Sequence, residues 1–151
     1  MNQRAEGAEG GPVLSDPAYG IVKHIAVGYD EAVALTREAL KEQGYGVLTE
    51  IDVKKTLKEK IDVDFRPYII LGACNPQLAY KALSSEPDIG LMLPCNVVVY
   101  EEGPGVTRVE AISPMAALGV VDSAALKEVA DEAEAKLGAA MDAVAARAGT
   151  V

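Results

Sequence analysis

Apolar side chains recur along this chain at two spacings, and each change of spacing marks an expected change of local structure. In "YGIVKHIAV", Ile21, Lys23, Ile25 and Val27 fall on one side and Val22, His24 and Ala26 on the other. That alternation predicts a strand whose centre is apolar on both faces, with His24 against packed atoms. "YDEAVALTREALKEQGYG" switches to helical spacing: Val33, Thr36 and Leu40 form a stripe, with Ala32 and Ala39 beside it. Asp30 is placed to cap this amphipathic helix and Gly44 to end it. "GVLTEI" reads as a short strand. "DVKKTLKEKID" reads as a short helix capped by Asp52, with Val53, Leu57 and Ile61 on one face. Its Lys54, Lys55, Lys58 and Lys60 are the basic cluster of an acidic chain and read as a solvated face.

"PYIILGAC" is a nearly continuous apolar run bounded by Pro67 and Asn75, as expected of a central strand. Asn75 and Pro76 then form an N-cap and first-turn proline opening a helix to about Leu83, so Cys74 sits where strand passes into helix. "IGLMLPCNVVVYEE" reads as a long strand interrupted at Pro94, which cannot donate to a ladder and so predicts a bulge or edge position beside Cys95. "EGPGVTRVEAI" supplies a turn at Gly103–Gly105 and a return strand. From Asp122, the spacing of Leu126, Val129, Ala133, Leu137, Ala140 and Val144 predicts a long helix. Its small side chains permit close approach, either over the sheet or against a second subunit. Residues 1–17 have no periodicity and few large apolar groups, and read as a disordered acidic, Gly-rich tail ahead of a single α+β domain over 18–151.

Composition narrows the function classes. A formal charge of −9 repels phosphate backbones and anionic lipid, which argues against nucleic-acid and membrane-surface partners. Neither a cationic-then-apolar leader nor a membrane-length apolar run is visible, so a cytoplasmic protein with reduced thiols is expected. His24 is the single histidine, which excludes a multi-histidine metal cage. Dinucleotide, P-loop, zinc-protease and nucleophile-elbow motifs are all absent.

The sharpest candidate chemistry lies in two near-mirror settings, C-N-P at Cys74–Asn75 and P-C-N at Cys95–Asn96. Unpaired cysteines often serve as small buried apolar side chains. Against that plain reading, a helix N-terminus after Cys74 favours a thiolate, and the Pro94 break frees backbone groups beside Cys95. Converging sulfurs would suit a soft metal ion or a reversible dithiol, with His24 the natural third ligand if its strand is adjacent. Asn75 and Asn96 serve as cap and turn residues on the plain reading, or orient a ligand beside the thiols.

The segments "EALKEQGYGVLTEIDVKKTLKEKI", "YIILGACNP", "AYKAL" and "GLMLPCNVVVYE" resemble the bacterial and archaeal domain-of-unknown-function family 302 over about residues 20 to 114, and the following helix fits the same domain. The resemblance implies a compact α+β domain: a curved antiparallel sheet of about five strands with helices packed on it, similar to the TATA-binding-protein-like architecture, ending in a long helix. It also implies a homodimer, and it brings no established activity or cofactor. A likeness of shape gives no licence for DNA binding, since one fold hosts many functions. The expected function is a binding or sensor module holding a small ligand, a soft metal ion or a sulfur species at Cys74, Asn75, Cys95 and Asn96. The alternatives are a thiol or sulfur-transfer enzyme, with Cys74 attacking and Cys95 resolving, or a structural dimer module whose cysteines pack.

Overall fold

A computed structural model of the chain describes residues 15–151. Five strands, β1 (Gly20–Ile25), β2 (Gly46–Asp52), β3 (Tyr68–Cys74), β4 (Cys95–Gly103) and β5 (Val106–Ile112), form one antiparallel sheet in the order β1-β5-β4-β3-β2. The helices are α1 (Tyr29–Glu42), α2 (Val53–Ile61), α3 (Pro76–Ser85), α4 (Pro114–Leu118) and α5 (Ala124–Ala148). None among the described residues is long and apolar enough to cross a membrane.

Strand alternation sorts the sheet into two faces. Ile25, Ile69, Leu71, Ala73, Val97, Val99, Val109 and Ala111 are buried on one face, where α1 and α5 cover them with Ala32, Ala39, Leu40, Leu137, Ala140, Met141 and Val144. The opposite face carries Tyr68 stacked on Tyr100, with ring centroids 5.0 Å apart, and the Arg108 guanidinium 5.7 Å from the Tyr100 centroid. A second apolar cluster joins α3, α4 and the first half of α5 through Leu78, Ala82, Ile89, Leu118, Leu126, Val129, Ala130 and Ala133. The alanine-rich stripe of α5 is therefore used inside the chain, against α1, α3, α4 and the sheet, and gives no independent reason for a second subunit.

Capping chemistry matches the expected boundaries in most places. Asp52 accepts from the Lys55 amide and Asn75 from the Leu78 amide, each satisfying a donor that the helix start leaves unpaired. Ser113 and Ser123 do the same for α4 and α5, of which α4 is too short for periodicity to predict. At α1 the cap is Gly28, and Asp30 instead lies in the first turn, where its charge complements the helix dipole. The expected long strand through Pro94 is shorter than its apolar run: Pro87–Met92 forms a 3₁₀ turn, and β4 begins only at Cys95, after a cis Leu93–Pro94 bond. The apolar residues of that turn serve the second cluster, where Ile89 is buried, and so mimic a strand in sequence.

At the near end of the chain, Asp16 reaches His24 and Arg108, and the Pro17 carbonyl accepts from the Gly20 amide. The ordered body thus extends to residues 15–17. The remainder of the expected tail, residues 1–14, lies outside the described residues. At the far end, the Ala26 amide donates to the Gly149 carbonyl and the Val151 amide to the His24 carbonyl, laying residues 149–151 along the outer edge of β1.

Candidate functional site

The two apolar clusters meet at the end of β3 and the start of β4, and a cavity of about 300 Å³ lies between them. Its apolar wall comes from Leu78, Leu93, Leu118 and Val129 with Ala73, Ala79, Ala82 and Ala133. The alanines explain the space: larger side chains at these facing positions would fill it. Its polar groups are Tyr45, Thr49, Cys74, Asn75 and Cys95, and no charged side chain is among the residues that line it.

Both cysteines border this cavity because the β3–β4 register pairs Ala73 with Cys95, leaving Cys74 one residue past that pair. Both are free thiols, partly buried, on the same cavity. Burial, and after it the neighbouring Cys74, pushes the Cys95 thiol up to about 11. At neutral pH Cys95 is therefore a protonated, weak hydrogen-bond donor, unlike the thiolate that nucleophilic attack requires.

Tyr45 is the residue that sequence reasoning missed. It follows the left-handed Gly44, φ 82°, that ends α1, and the Tyr45 and Gly44 amides donate to the Leu40 and Lys41 carbonyls. This is the Schellman arrangement, which folds the residue after the glycine back onto the last turn and buries it beside Leu40. "LKEQGYG" carries that signal. Tyr45 is only 3% exposed, and its hydroxyl has no hydrogen-bond partner among the described residues. Burial raises the phenol far above its ordinary range, with further contributions from the charges of Cys95, Cys74 and Glu132.

Two of the expected site residues lie elsewhere. Asn96 follows Cys95 on β4, so the pleat turns it to the opposite sheet face, where it borders a groove with Tyr19, Tyr68 and Glu110. His24 pairs with Arg108 across β1–β5, and Arg108 pairs with Tyr100 across β5–β4. Cys95 precedes Tyr100 by five residues along β4, so two strand spacings and about 17 Å of strand put His24 on the order of 20 Å from the thiols. His24 cannot be their third ligand. Its Nδ1 is 2.6 Å from Glu102 and its Nε2 2.9 Å from Asp16, partners that raise its affinity for a proton. Among the described residues, no group of three or more His, Cys, Asp and Glu side chains is arranged to hold a metal ion. Asn75 does border the cavity, while its side-chain oxygen caps α3.

No curated protein matches the chain. A solved structure does: the crystal structure of an uncharacterized conserved protein DUF302 from Bacillus stearothermophilus is 33% identical, with a TM-score of 0.77 over 84% of this chain and 98% of that one. The family model described as domain of unknown function DUF302 matches residues 21–144, a span that takes in every strand but the first residue of β1, both cysteines and Tyr45. The chain belongs to the DUF302 family.

Proposed function

We propose that the protein is a small-molecule-binding module, of carrier or sensor type, whose ligand occupies the cavity that Cys74 and Cys95 share. The observation that carries this reading is the cavity itself. Its volume of about 300 Å³ falls at the lower end of small-molecule sites, and it has their usual make-up of apolar walls with a few convergent polar groups. Leu48, which is 69% exposed, also lines it, so the way in from solvent is apolar.

The donor set favours binding over thiol chemistry. Cys95 holds its proton well above neutrality, and the one histidine is strands away, so no histidine serves as base or third ligand beside the two cysteines.

Filling the cavity tests the proposal. The uncharged fluorophore 1-aminoanthracene, titrated into the wild-type protein, is expected to bind saturably at one site. Ala82→Phe and Ala133→Phe, each checked for native circular dichroism, are expected to weaken that binding at least tenfold. Absence of saturable binding, or binding indifferent to both substitutions, leaves the cysteines as packing residues and removes the proposal.

A further inference from the structure

The geometry points to an uncharged, largely apolar carbonyl compound as the class of ligand, with its oxygen directed to Tyr45 and the two thiols; this rests on the cavity being the ligand site. The first reason is charge. The polar groups on the wall are two hydroxyls, Tyr45 and Thr49, two cysteines, Cys74 and Cys95, and the Asn75 amide, and no carboxylate, lysine, arginine or histidine lines the cavity. A carboxylate or ammonium entering it would lose water without gaining an opposite charge, which is costly.

The second reason is the balance of donors and acceptors. The Tyr45 hydroxyl is shut away from bulk water with no partner among the described residues, and a buried hydroxyl in that state is expensive. Tyr45, Cys74 and Cys95 all line the cavity, so a hydroxyl and two sulfur atoms border the space a ligand would fill, with the hydroxyl and the protonated Cys95 thiol available as donors. The Asn75 side-chain oxygen already accepts from the Leu78 amide, which leaves its amide N–H groups as further donors. The site is thus rich in donors and short of acceptors. A carbonyl oxygen offers two acceptor lone pairs and no donor, and the rest of such a molecule suits leucine, alanine and proline walls.

The test compares near-isosteric probes against a variant that removes one atom. Binding of acetophenone, α-methylstyrene and benzoate to the wild-type protein and to Tyr45→Phe is followed by ¹H–¹⁵N chemical-shift titration. Acetophenone is expected to bind about three- to tenfold more weakly to Tyr45→Phe, the span of one neutral hydrogen bond, while α-methylstyrene binds both proteins alike. Benzoate is expected to bind the wild type more weakly than acetophenone. Unchanged acetophenone affinity in Tyr45→Phe, or tighter binding of benzoate, overturns the inference while leaving the cavity a binding site. Failure of all three to bind saturably removes both. Should Tyr45→Phe not fold, the infrared carbonyl stretch of acetophenone bound to wild-type protein decides. A shift to lower frequency than in hexane is expected, and an unshifted band overturns the inference.

Discussion

Removing the Tyr45 hydroxyl should leave the free protein as stable as before or more so. Tyrosine to phenylalanine at a buried site usually costs about 1 kcal/mol, because it breaks a hydrogen bond and strands the partner. Here the hydroxyl has no partner among the described residues, and the side chain is 3% exposed. Burying an unsatisfied polar group costs about 1–3 kcal/mol, a penalty that Tyr45→Phe relieves. The small void left by the oxygen offsets part of the gain, so the net effect should be a stabilisation of about 1 kcal/mol. In a domain of this length that corresponds to a rise in Tm of about 2–4 °C. Urea unfolding of wild type and variant, followed by circular dichroism with equal m-values, measures the difference. Tyr45→Ala is the control: it removes the ring that packs in the same cluster as Leu40 and should lose about 3–5 kcal/mol. A Tyr45→Phe protein less stable by about 1 kcal/mol or more would mean that the hydroxyl is bonded in solution, and the donor-rich description of the cavity would fall with it.

Three further outcomes are expected. The folded Cys95 thiol titrates at about 11 against an ordinary 9, so its contribution to stability is complete below pH 9 and disappears as pH rises through that interval; Cys95→Ala should flatten the loss, seen in urea midpoints across the window. His24 is raised above its ordinary 6.5, first by the hydrogen bond to Glu102, with burial opposing and the Asp16 hydrogen bond assisting. Its stabilisation is therefore full below pH 6.5 and lost as pH climbs past the folded value, and His24→Gln should destabilise the protein at pH 5.5 but hardly at pH 9. A side chain on Gly72 would collide with the Thr49 hydroxyl and come within 2.9 Å of the Pro94 ring, so Gly72→Ala should cost about 1–3 kcal/mol by thermal unfolding, and an unchanged Tm would contradict that crowding.

Where the sequence was readable, the signal was local. Alternation in "YGIVKHIAV" and "PYIILGAC", helical spacing from Ala32 to Leu40, and the caps at Asp52 and Asn75 all depend on residues within a few positions of one another and place the separate elements, while their assembly into one five-stranded sheet was implied by the family resemblance. The matching flanks of Cys74 and Cys95 say nothing of their distance; it is the β3–β4 register, with Ala73 opposite Cys95, that sets both on the border of one cavity. The same alternation that puts Cys95 on the cavity turns Asn96 away from it, so pairing the two C-N steps as equivalents misplaces one amide. His24 was unreadable as to place, because strand order is a long-range property: β1 joins the sheet beside β5, at the edge far from β3. The 3₁₀ turn at Pro87–Met92 shows the limit of periodicity, since a short apolar run buried by helices has the same composition as a strand buried by a sheet.

An open sheet ordinarily presents two rows of unpaired amides and carbonyls to any passing strand. In this one, residues 149–151 lie along the last residues of β1 and take up groups at Ala26 and His24, so that end of the edge is already occupied by the chain itself. A foreign strand added on that side would have to displace those residues or pair with the shorter stretch before His24. At the other edge, β2, the ladder is irregular between Val47 and Thr49, and Glu50 and Asp52 bring like charges, both of which discourage flat extension.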